Sequence, residues 1–239
     1  MILHLLGAGA SAGLVADLRA GFTAATGAEI AAFFGAAGLI RAKVLAGDAC
    51  DVVILTGDFL DELGGRGLLA GPAVPIGLVR TGIAVPTGHP VPDIATSEAL
   101  RAALLAARGV YVPDPQISTA GIHVMRVLRA LGIEQAVLPH LRPFPNGATA
   151  MRHLAEAAEA NAIGCTQITE ITCTPGLTVA GKLPAPHGLA TIYAAAVRAG
   201  TAQPAAAQAL VALLTGPASA DLRRAGGFEP LPGDADGGG

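Results

Sequence analysis

Seven polar side chains stand where an acid, a base or an anion clamp would be useful: Arg80, Ser118, Thr119, His123, Thr166, Gln167 and Glu170. A guanidinium at Arg80, within GLVRTGIAVP, can grip a carboxylate through two parallel N–H···O bonds. An ordinary salt bridge is the alternative there. His123 and Glu170 are the candidate proton carriers, the imidazole by its usual pKa and the carboxyl if partly desolvated. Glu170 as a loop cap or a lysine partner, and His123 turned into its own domain, are the alternatives. Thr166 and Gln167 close the run AIGCTQ, where the carboxyl end of a strand would meet a ligand.

Backbone chemistry points the same way. Gly/Ala/Ser-rich loops at 9–13, 35–38, 118–121 and 146–149 each precede a helical pattern, and they bring Ala10, Ser11, Ala36, Ala37, Ala120 and Thr149 to helix starts. The first N–H groups of a helix lack intrahelical partners and carry about half a positive charge. Small side chains let an anion approach that backbone closely. Any one of these loops is an ordinary strand-to-helix turn; together they predict a small anionic ligand, a carboxylate above all.

Other chemistries find little support. GAGASAG after the first strand resembles a dinucleotide loop, yet AEIAAFFGAAG ends without the acidic residue that would hold a ribose. GxxxxGK[ST], GxSxG and HExxH are absent, and the six histidines show no metal-ligand spacing. A net charge of −3 with scattered Lys and Arg leaves no footprint for nucleic acid. No apolar run reaches the length of a membrane span. The three cysteines form no CxxC and are expected to be buried free thiols. Met1 runs straight into ILHLL without a basic, cleavable leader, so the cytoplasm is the expected location, with the periplasm as the alternative if a leader was removed.

The elements that position these residues alternate strand and helix. ILHLL, AEIAAFF and DVVILT read as buried strands, separated by helices over about 11–25 and 39–46, and DFLDELGGRGLL reads as a short amphipathic helix. After Pro75 a second series begins: strand GLVRTGIAVP, helix SEALRAALLAA, strand GVYVP, helix AGIHVMRVLRALGI, strand AVLPHLRPF, helix GATAMRHLAEAAEAN and strand AIGCTQITEI. LATIYAAAVRAG is a further long strand, and TAQPAAAQALVALLTG and SADLRRAG are closing helices. This order predicts an α/β protein of two lobes, each a mainly parallel sheet flanked by helices, joined by two crossover strands. Lobe 1 is expected to span 1–80 and 192–232, lobe 2 81–191, with a disordered tail at 233–239. A ligand cleft is expected between the two sheets.

The succession GAGASAGLVADLRAGFTAATG, FFGAAGLIRAKVLAGDACDVVILT, DPQISTAGIHVMRVLRALGI and EANAIGCTQITEI resembles the molybdate-type, type II substrate-binding proteins of ABC transporters across nearly the whole chain. The resemblance implies a periplasmic-binding-protein fold. Oxyanion-binding members place serine hydroxyls in the first two loops and a tyrosine after the late strand; here those positions hold Ala10, Ala36 or Ala37, and Thr166, with Ser11 one place along. A buried oxyanion needs a full shell of donors, so their loss disfavours tetrahedral oxyanions. The QITEI segment is similar to the aconitate isomerase branch. That implies a cofactor-independent isomerase of a small unsaturated di- or tricarboxylate, with His123 or Glu170 as base. The alternative is a non-catalytic receptor for molybdate, tungstate or a carboxylate, serving a transporter permease or acting as a cytosolic sensor.

Overall fold

A computed structural model describes residues 1–157 and 159–231; the tail expected at 233–239 lies outside the described residues. The chain opens with β1 (Ile2–Ala8), α1 (Ala12–Thr26), β2 (Glu29–Gly35), α2 (Ala37–Ala46), β3 (Val52–Thr56), α3 (Gly57–Gly65) and the long β4 (Val74–Pro86). It continues through α4 (Ser97–Ala106), β5 (Gly109–Pro113), α5 (Thr119–Ala130), α6 (Glu134–Val137), β6 (Leu141–Phe144), α7 (Gly147–Ala155), β7 (Ala162–Gln167), α8 (Ile168–Thr172) and β8 (Leu177–Lys182). It ends with β9 (Ala190–Val197), α9 (Pro204–Thr215) and α10 (Ala220–Ala225). Contacts divide it into two compact units, Met1–Val79 with the chain from Thr191 onward, and Arg80–Ala190. Arg80 therefore opens the second unit rather than closing the first.

In the first unit β1 lies between parallel β2 and β3, and β9 pairs antiparallel with β3. Strands buried on both faces need uninterrupted apolar sequence, and VVILT supplies it without an exposed residue. Phe22 of α1, Ile40 and Val44 of α2, Leu60 and Leu63 of α3 and Leu210 and Leu214 of α9 close over that sheet. Asp51 pins the start of β3. Its Oδ2 accepts the His4 N–H at 2.8 Å and its Oδ1 accepts the Thr201 hydroxyl at 2.6 Å, at 8% exposure. Asp51→Ala would strand both donors, and a loss of about 2–4 kcal/mol is expected. Urea unfolding checks this: the midpoint should fall with the slope unchanged.

In the second unit β5 lies between parallel β6 and β7, while β4 pairs antiparallel with both β7 and β8. Alternation along the strands sends Ile83, Val110, Val112, Ile163 and Cys165 to the face covered by α4 and α5. Ala84, Tyr111 and Ala162 go to the face covered by α7 and α8. Two sequence expectations change here. AVLPHLRPF is mostly helical turn, with only Leu141–Phe144 extended. ITEIT leaves the sheet as α8, and Leu177–Lys182, assigned to no element above, is β8.

Candidate functional site

Parallel strands end at the same edge of a sheet, so the helices that follow them start there together. In the first unit this assembles the starts of α2, α1 and α3 behind β2, β1 and β3. The residues before these helices, Ala36, Ser11 and Thr56, make no side-chain cap hydrogen bond. Ser11 turns its hydroxyl back to the Ala8 carbonyl at 2.8 Å and is fully buried. Ala10, Ala36 and Ala37 are buried as well. At α1 and α2 the donors are thus backbone amides rather than hydroxyls, and Asp58 in the first turn of α3 leaves these two as the more anion-friendly starts.

The second unit repeats the plan with β7, β5 and β6 leading into α8, α5 and α7. Here the structure separates the expected site residues onto the two faces of one sheet.

On the α7 face, Glu170 is 5% exposed. Its Oε2 accepts the Thr166 hydroxyl at 2.5 Å, and its carboxylate accepts the backbone N–H groups of Ala148 and Gln167. The start of α7, expected to receive a ligand, is thus served by the protein's own carboxylate. Thr149 is engaged too, its N–H bonding Asn146 Oδ1 at 2.8 Å. Gly147 makes the arrangement possible, since a Cβ there would overlap Glu170 Oε2 and Thr166 Oγ1. Burial pushes the Glu170 carboxyl up from 4.5 to about 7, against the opposing pull of the Thr166 hydroxyl and the two amides.

On the α5 face, Ser118 caps α5, its Oγ accepting the Gly121 N–H at 3.5 Å, and Thr119 and Ala120 supply the first helical amides. Gln167, in register with Thr81 of β4, shares this face by strand alternation. His123 Nε2 donates to the His187 carbonyl at 2.8 Å, and His187 Nε2 meets Ser97 Oγ at 3.0 Å. His123 therefore ties α5 to the loop before β9 and keeps only Nδ1 for proton transfer. Arg80, partly buried, precedes Thr81 at the same edge.

Sequence reasoning placed Asn146 and Gly147 in a ligand loop without giving either a role of its own, and passed over Thr81. Asn146 was legible as a helix cap; the other two matter only through burial and close approach. Among the described residues no group of three His, Cys, Asp or Glu could hold a metal ion, and no helix is long and apolar enough to cross a membrane. Burial pushes the Cys50 thiol up to about 11 and the Cys165 thiol up to about 12, so both stay protonated. Cys173, expected inside, is exposed.

Comparison with known proteins gives concordant matches. The profile of a family described as bacterial extracellular solute-binding protein matches residues 3–229. An aconitate isomerase of a Pseudomonas species is 27% identical over 240 residues, covering 96% of this chain and 88% of that protein. Among solved structures, the periplasmic molybdate-binding protein of Azotobacter vinelandii is similar with a TM-score of 0.77 at 19% identity, covering 96% of this chain and 99% of that one. The sulfate-binding protein SubI from Mycobacterium tuberculosis is similar with a TM-score of 0.70 at 17% identity, covering 98% and 88%. The fold is thus the two-lobed type II α/β fold of periplasmic binding proteins.

Proposed function

As the chain belongs to the bacterial extracellular solute-binding protein family, we propose that it acts on the small anion it binds, isomerising an unsaturated di- or tricarboxylate of the aconitate kind without a cofactor. The observation that carries the proposal is Glu170, a buried carboxyl brought close to neutral pKa beside the start of α7. Similarity to an aconitate isomerase along 96% of the chain supports it. In this mechanism the Glu170 carboxylate takes a proton from an allylic carbon, and the electron pair left behind spreads over the allylic system and its carboxylate. The same proton returns from Glu170 to the carbon two positions away, and the double bond shifts. Helix-start amides stabilise the charge that develops, the role of an oxyanion hole. Within the second unit, Ser118, Thr119 and Ala120 at the start of α5 supply carboxylate contacts.

A second reading is a receptor without catalysis, delivering molybdate, tungstate or a carboxylate to a transporter permease. Family membership and the side-chain-uncapped helix starts of the first unit favour it. Proton NMR of cis- and trans-aconitate in deuterated water decides between the two. Isomer conversion is expected, with the migrating hydrogen retained rather than replaced by deuterium. Tight binding of molybdate with every carboxylate left unchanged would establish the receptor instead.

A further inference from the structure

Thr81 is 1% exposed, and its hydroxyl has no hydrogen-bond partner among the described residues. A hydroxyl taken out of water without a partner weakens a fold, and a valine would fill the same space without that cost. Threonine here calls for a partner that is not part of the chain.

Its position says where that partner sits. Thr81 lies opposite Gln167 in the β4–β7 register, with Ile83 opposite Cys165 two residues on. Ile83, Ile163 and Cys165 pack with Val124 and Leu128 of α5, so alternation puts Thr81 on the α5 face. The neighbouring Gly82 confirms the assignment from the other side, because a Cβ there would collide with Ile168 of α8. The β4 chain runs antiparallel to β7, so Thr81 stands at the edge where β7 ends and, by the parallel pairing of β5 and β7, where α5 begins. A buried hydroxyl in need of an acceptor and the free first amides of a 12-residue helix therefore share one edge and one face.

We infer that Thr81 is a specificity-determining residue: its hydroxyl donates to an oxygen of the bound ligand beyond the carboxylate held by the first amides of α5. A ligand with one compact anionic group satisfies the amides alone, whereas a di- or tricarboxylate satisfies both. This rests on the carboxylate reading of the site given above.

The test is isothermal titration of the wild-type protein, Thr81→Val and Thr81→Ser with tricarballylate, a saturated tricarboxylate that offers no double bond to move. Thr81→Val is expected to bind about tenfold more weakly than the wild type, Thr81→Ser to stay within about threefold of it, and the ligand-free melting temperature of Thr81→Val to equal or exceed that of the wild type. Wild-type affinity in Thr81→Val overturns the inference, as does a lower melting temperature, which marks a structural hydroxyl. The same titrations with molybdate separate this failure from that of the carboxylate reading. If the wild type binds molybdate and not tricarballylate, the carboxylate reading falls and, with it, the role of Thr81 in selecting it. A wild type that binds neither anion overturns both.

Discussion

Replacing Glu170 by glutamine is expected to lower isomerase turnover by at least about a hundredfold while raising the melting temperature at alkaline pH. The first effect follows from removing the base, whose contribution typically spans about 10²–10⁴ in rate. The carboxamide can keep the local geometry, because its oxygen accepts from the Ala148 and Gln167 amides and its NH₂ group turns to the Thr166 hydroxyl. The second effect follows from the same burial that tunes the group. The folded-state pKa is raised from 4.5 to about 7, so the protonated carboxyl is the form the fold prefers. Its stabilising contribution is complete below about 4.5 and is lost as pH rises through about 7. Glutamine stays neutral throughout. The melting-temperature difference between mutant and wild type should therefore be smallest near pH 5 and most positive above pH 8, while wild-type turnover rises through the same window as the carboxylate forms. Undiminished turnover in Glu170→Gln would remove the base assignment. A melting-temperature difference that ignores pH would show that the carboxyl does not titrate there.

That pairing of chemistry and burial was only half visible in the residues. The order of elements was legible because buried strands such as VVILT and helices such as α5, with Val124, Val127 and Leu128 on one stripe, write their period into the sequence. The stretch after β7 was misread because Ile168, Thr169, Ile171 and Thr172 are β-branched and look like continued strand. The five-residue helix there is set by tertiary position, with its glutamate anchored on the start of α7. In AVLPHLRPF, Pro139 breaks the extended run, and its apolar residues serve a short helix and a 3₁₀ turn instead. Anion-binding edges could be anticipated from Gly/Ala-rich loops, since the loop composition is itself the physical requirement. The division of Thr166 and Glu170 from Gln167 and Ser118 onto opposite faces could not, because it depends on the strand register. Thr81 reads as an ordinary strand residue until its burial and missing partner are known.

Gly147→Ala is expected to cost about 2–4 kcal/mol. The added Cβ would overlap Glu170 Oε2 and Thr166 Oγ1. The tip of a flexible side chain can usually step aside at small cost. This one is held by a hydroxyl and two amides in a buried position, so displacing it strands those donors and moves a carboxylate within a buried site. A shift of α7 is the other escape, and Met151 and Leu154, both fully buried against Tyr111 and Ala162, resist it. The cause can be isolated by a double-mutant cycle. Glu170→Ala removes the carboxylate that the new methyl group meets and frees the Thr166 hydroxyl to turn away, so the double variant should be more stable than the sum of the two single losses predicts, by about 1–3 kcal/mol. Urea unfolding of the four proteins at pH 8 measures that coupling. Strict additivity would mean that Gly147 is required by the backbone of the turn rather than by the carboxylate, whereas the expected coupling ties the helix start, the hydroxyl and Glu170 into one unit.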